Sequence, residues 1–263
     1  MKRTKNVARL PVALSFLLLL ALGNTAQADS HAAPPPPAIL EAFLCNYNDG
    51  KDADDLMSAR DFYLKQAEKA GLALPQAFVW SLIKGGGQYE VLWFNVHENL
   101  KAYGTATDAY AAADMEAADE RFDSVVSCAS NIATVNQFFE REVEPEEGDD
   151  VVVVSSSACQ FRHGVGPAHV PDLMDHIAGV LGEMGDNTPT GTFMADPITG
   201  GGPVHIDRFL FNVNDDMSSW TNFIAGLVSS EAGQRLGRHF NMVFNCTSSL
   251  WAAQQVVEDA GEE

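Results

Sequence analysis

The sequence predicts an α+β protein built from two copies of a βαββαβ unit, each closed by its own disulfide. Two observations carry this reading. The first is an internal repeat. Leu56-Met57 recurs as Leu173-Met174, Gly85-Gly86-Gly87 as Gly200-Gly201-Gly202, and Trp93-Phe94-Asn95-Val96 as Leu210-Phe211-Asn212-Val213. The second is the cysteine placement. Cys45 and Cys128 bracket the first copy and Cys159 and Cys246 the second, so that all landmarks recur at offsets of 114 to 118 residues.

In the first copy, residues 39–47 read as a strand. Leu56, Ala59, Tyr63, Ala67 and Ala70 then form a helical stripe that Gly71 ends. Residues 77–83 and 89–96 read as strands joined through the triple glycine, a turn signal. A helical region over residues 100–126, broken near Ala113, leads to a fourth strand over residues 128–139. The second copy mirrors the first, with strands over residues 151–161, 191–198 and 204–213. Pro171 suits the first turn of a helix whose stripe is Leu173, Ile177, Val180, Leu181 and Met184. Trp220, Phe223, Ile224 and Leu227 stripe the second helical region. Residues 246–257 close the unit as a strand, with helix as the alternative for its end.

The order βαββαβ is the ferredoxin-like split unit, whose sheet sets strand one beside strand four. Four cysteines allow three pairings. A duplicated unit carries its own bridge, which selects Cys45–Cys128 and Cys159–Cys246. The topology agrees, because the end of strand one lies next to the start of strand four. No CxxC spacing exists, which argues against a cysteine metal site. Two such units resemble the tandem form of the dimeric α/β-barrel superfamily, in which two sheets pack face to face into a pseudo-symmetric barrel. The stretch Leu44-Cys45-Asn46-Tyr47-Asn48-Asp49-Gly50, the Leu-Met pair, the Trp-x-Asn strand and the cysteine before strand four also resemble a group of exported bacterial proteins without an assigned activity.

The organisation is then a signal peptide (1–28), a proline-rich spacer (29–37), repeat one (38–141), an acidic linker (142–150), repeat two (151–258) and an acidic tail (259–263). Lys2, Arg3, Lys5 and Arg9 head an apolar stretch over residues 10–22, and Ala26-Gln27-Ala28 is a small-x-small cleavage pattern. The stretch is short for a membrane span. The expected location is periplasmic or secreted, which suits disulfides. The whole chain carries −20, and losing residues 1–28 with their four basic groups leaves −24. Such a chain is repelled by nucleic acid and anionic lipid. Neither is an expected partner, and the oligomeric state is open.

The paired third strands supply the candidate site. One face reads Glu90, Leu92, Phe94, Val96, matched by Asp207, Phe209, Phe211, Val213. This apolar face is expected to pack on helices. The other reads Val91, Trp93, Asn95, His97, matched by Arg208, Leu210, Asn212, Asn214. It is expected to look into the space between the sheets. There Trp93, Asn95, His97, Arg208, Asn212 and Asn214 would surround a small apolar or aromatic ligand. The bland alternatives are that the asparagines bond to loops, that Trp93 is packing, and that Arg208 makes a rim salt bridge. Glu90 and Asp207 are expected at the rim.

The acids and histidines His169, Asp172, Asp175 and His176 match no zinc signature, and no metal is expected. There is no GxSxG elbow, Walker A motif or complete GxGxxG. The α/β-barrel resemblance implies further possibilities: a cofactor-independent monooxygenase or isomerase, or a haem-dependent enzyme. No CxxCH is present, which excludes covalent c-type attachment, and no motif singles out a proximal haem ligand. The cofactor stays open. An acidic interaction module is the third alternative beside binding protein and enzyme.

Overall fold

The structure, a computed structural model, describes residues 37–86, 88–141, 151–200 and 206–257. The expected signal peptide, most of the spacer, the acidic linker and the tail lie outside the described residues, as do His31, His205, Gly87, Gly201 and Gly202.

Repeat one consists of β1 (Ala38–Tyr47), α1 (Ala53–Ala70), β2 (Gln76–Gly85), β3 (Val91–His97), α2 (Leu100–Ala112), α3 (Glu116–Asp123) and β4 (Val126–Glu140). Repeat two consists of β5 (Val151–Phe161), α4 (Val170–Met184), β6 (Gly191–Gly200), β7 (Arg208–Asn214), α5 (Met217–Ser229), α6 (Glu231–Val243) and β8 (Phe244–Val257). The helix starts follow side-chain chemistry. Asp52 and Asn99 accept backbone N–H groups of the first turns of α1 and α2, and Asp216 does so for α5. Gly71 ends α1 with a positive φ of 68°, a conformation glycine adopts without strain. Residues 246–257 are strand to the end; the helical alternative does not occur.

All eight strands join one closed antiparallel barrel in the order β1-β3-β2-β8-β5-β7-β6-β4. Each repeat forms one half, and the halves meet along β2–β8 and β4–β6. Gly85, at the first seam, has Ser249 so close that an added Cβ would lie 2.6 Å from its Cα. The first glycine of the triplet is therefore a strand residue that serves seam packing. Cys45 lies directly opposite Cys128 and Cys159 opposite Cys246, each pair with Cα atoms 4.1 Å apart and bridged as the repeat predicts.

The barrel is filled. Phe78, Trp80, Phe94, Phe193, Phe211 and Trp251 form its interior with smaller apolar groups. Trp80 meets Phe94 and Phe211 edge-on, with centroids 4.4 and 5.3 Å apart, and Phe193 stacks on Phe211 at 5.0 Å. Trp251 donates its indole N–H to Ser156 Oγ at 2.8 Å, so these two buried polar groups satisfy each other. This corrects the expected strand faces. Phe94 and Phe211 are buried, but inside the barrel. Trp93, Asn95, His97 and their repeat-two counterparts point outward, beneath the helices. The reason is that side chains alternate along a strand and a barrel strand is covered on both sides.

Candidate functional site

The helices of repeat one do not fill the outer face of their sheet. A cavity of about 550 Å³ lies between β1, β3 and the helices, within the size range of small-molecule sites. Trp93, Asn95 and His97 line it from β3, and Glu41 and Phe43 from β1. Tyr63 and Leu74 close it on the α1 side, Ala106 and Tyr110 from α2, and Asp119 and Phe122 from α3. The Cys45–Cys128 bridge forms part of its wall.

The polar groups on the sheet form a chain. Trp93 donates its indole N–H to Asn95 Oδ1 at 2.9 Å, and Asn95 Nδ2 donates to Glu41 Oε2 at 2.8 Å. The β1–β3 register sets Glu41 directly opposite Asn95. The two bonds orient the amide with its donor towards the carboxylate. His97 Nε2 lies 4.0 Å from the same Glu41 oxygen, too far for a hydrogen bond. His97 is 6 % exposed, and its Nε2 has no hydrogen-bond partner. Its ring packs edge-on against Tyr103 at 5.3 Å.

On the helical side the aromatic groups support one another. Phe122 meets Trp93 and Tyr63 edge-on at 5.4 and 5.8 Å. The Tyr110 hydroxyl donates to Asp119 Oδ1 at 2.5 Å. Burial, with Glu41 and Asp119 adding their negative charge, pushes the Tyr63 phenol up to about 12. Tyr110 is raised as well, by burial first and then by its bond to Asp119. Both phenols stay protonated at neutral pH and present hydroxyl groups.

The structure thus brings together only half of the predicted set. Arg208, Asn212 and Asn214 lie on the outer face of repeat two and do not line this cavity. Arg208 makes the rim ion pair, its Nε 2.8 Å from Asp196 Oδ1, with its guanidinium over the Phe161 ring. Asn212 Nδ2 donates to Ser155 Oγ at 3.5 Å. Asn214 is buried and donates to the backbone carbonyls of Val153 and Asn212. The two equivalent asparagines therefore have local partners and do not meet. Glu90 and Asp207 play the same structural part in their two repeats. Each accepts the backbone N–H two residues past a disulfide cysteine, at Tyr47 and Phe161, at 3.0 and 2.7 Å.

Sequence reasoning misses Glu41, Tyr63, Tyr110, Asp119 and Phe122 as members of a site. One signal is present for Glu41, a lone acid within the apolar strand Ala38-Ile39-Leu40-Glu41-Ala42-Phe43-Leu44. Among the described residues no group of three or more histidine, cysteine or acidic side chains is gathered as metal ligands. No helix among them is long and apolar enough to cross a membrane.

Solved structures share this architecture. A proposed monooxygenase from Fusobacterium nucleatum subsp. nucleatum aligns over 87 % of this chain and 97 % of its own, with TM-score 0.54 and 12 % identity. An anthrone oxidase-like protein aligns over 86 % and 96 %, with TM-score 0.52 and 10 % identity. A proposed monooxygenase from Lactobacillus acidophilus aligns over 84 % and 95 %, with TM-score 0.51 and 7 % identity. The chain has the fold of the dimeric α/β barrels. At these identities the likeness is one of fold alone. No family model matches the sequence, and no curated protein is similar to it.

Proposed function

We propose that this is an exported protein that binds a small aromatic molecule in the repeat-one cavity, between sheet and helices. The observation that carries the reading is the cavity itself. It has aromatic walls with a few fixed polar groups, Glu41, Asn95, Trp93 and His97, converging on one side. The leader pattern and the two disulfides support export. The test is native mass spectrometry of protein purified from its own cells, alongside Ala106→Phe, which fills the cavity. A small-molecule adduct that is lost in the folded variant is the expected result. An adduct retained by that variant would place the ligand elsewhere.

A second reading, a cofactor-independent monooxygenase, is favoured by one feature. Glu41 and His97 face the cavity as a carboxylate and an imidazole able to accept a substrate proton. The neighbours described as monooxygenases and as anthrone oxidase-like lend this reading a fold precedent. Oxygen uptake with an anthrone, abolished by Glu41→Gln, would establish it over simple binding. The haem-dependent alternative does not fit the cavity. Haem brings two propionate carboxylates, and the described lining residues oppose them with Glu41, Asp119 and Asp123 and supply no lysine or arginine.

A further inference from the structure

The charge of the cavity is one-sided. Its ionisable lining comprises Glu41, Asp119, Asp123, two phenols and His97. Trp93, Tyr63, Tyr110, Phe43 and Phe122 supply aromatic surface beside the carboxylates. Faces of electron-rich rings attract cations, and the attraction grows when water is excluded. A cationic guest would balance the charge of Glu41, which otherwise accepts from the neutral amide of Asn95, whereas a neutral or anionic guest would not. One further observation points to a guest. His97 is among the residues lining the cavity, and its buried Nε2 has no hydrogen-bond partner, although a buried polar atom ordinarily finds one.

Glu41 Oε2 and His97 Nε2 are 4.0 Å apart. A single nitrogen bearing two or more hydrogens can lie about 2.9 Å from each. Glu41 already accepts from Asn95 on the same oxygen, and a carboxylate has room for about four such bonds. In the tautomer with its proton on Nδ1, His97 offers Nε2 as an acceptor. The site thus presents two acceptors and an aromatic enclosure, which is the complement of an ammonium group on a flat apolar body. We propose that the ligand is a protonated amine on an aromatic skeleton, its nitrogen between Glu41 and His97 and its ring among Trp93, Tyr63 and Phe122. This rests on the cavity being the binding site.

The test is calorimetric titration of the whole mature protein with three probes of one skeleton: tryptamine, its alcohol tryptophol, and indole-3-acetate. Tryptamine is expected to bind at least about tenfold tighter than tryptophol, and indole-3-acetate not at all. That comparison needs no variant, so it stands even if a substitution unfolds the chain. Glu41→Gln is expected to remove the preference for the amine by weakening tryptamine more than tryptophol. Ala106→Phe is expected to abolish tryptamine binding, which separates the cavity from general attraction to an acidic surface. Equal binding of amine and alcohol would overturn the charge inference and leave the cavity reading standing. Tryptamine binding that survives Ala106→Phe would overturn the placement. Binding of none of the three would overturn both.

Discussion

The two repeats share a frame and differ in what covers it. Both have the same strand order, a disulfide at equivalent positions and an acid that caps the same backbone N–H. Their outer faces diverge. Repeat two closes over its sheet with Leu173, Ile177, Val180, Leu181, Leu210, Phe223 and Leu236 in one apolar cluster. Repeat one leaves a cavity. The equivalent helices explain the difference. Counted from their capping residues Asn99 and Asp216, Ala106 corresponds to Phe223, Thr107 to Ile224 and Tyr110 to Leu227. Repeat two thus drives a phenylalanine and two aliphatic side chains into the space that repeat one keeps open. On the sheet, Ser155 stands where repeat one has Glu41, each opposite the shared asparagine of its own third strand. After duplication, the proposed site falls on the copy that carries Glu41 and Ala106. The barrel interior, which both halves must fill, stays alike.

The largest expected effects lie in that shared interior. Phe94→Ala and Phe211→Ala should each destabilise by about 3 to 5 kcal/mol, by urea unfolding, because both empty the same aromatic cluster. A large loss for one and a neutral result for the other would break the symmetry of the core. Replacing either cysteine pair by alanine should cost about 2 to 4 kcal/mol. The two costs should be close, since the bridges span 83 and 87 residues. Non-reducing peptide mapping should show the within-repeat pairs, and a cross-repeat peptide would contradict them.

Smaller still is the effect of copying repeat two into repeat one. Ala106→Phe should change stability by no more than about 1 kcal/mol, since the new ring enters existing space. The Phe223→Ala counterpart should cost about 3 kcal/mol or more. If Ala106→Phe is as damaging as an overpacked core substitution, the two faces differ less than the geometry indicates.

The smallest effect is electrostatic. Tyr63 has Val180 as its repeat-two counterpart, counted from the Leu-Met pairs. An unfolded tyrosine titrates near 10, whereas burial and the nearby acids hold Tyr63 to about 12. Between those values the folded state keeps a proton that the unfolded state has lost. The stability contributed is therefore complete below about pH 10 and is lost as pH rises through about 12. The tyrosinate absorbance step that Tyr63→Phe removes should move to lower pH in Glu41→Gln. An unmoved step would mean that Glu41 does not act on the cavity.

The sequence by itself determined the duplication, the element order and the disulfide pairing. Periodicity, turn residues and cysteine spacing are local or repeated signals, and two copies check each other. It also pointed to Trp93, Asn95 and His97 as side chains sharing one strand face. Only the tertiary structure decided which way that face points. Strand alternation separates two faces without naming them. In a closed barrel wrapped by helices both are buried, so Trp93 and Phe94 carry the same apolar signal while lying on opposite sides of the sheet. Tertiary packing also decided that a cavity opens on the outer face of repeat one. That outcome depends on Glu41 lying beside Asn95 in register and on how far Ala106 falls short of Phe223. Such distances across elements are not written in the spacing of any one of them.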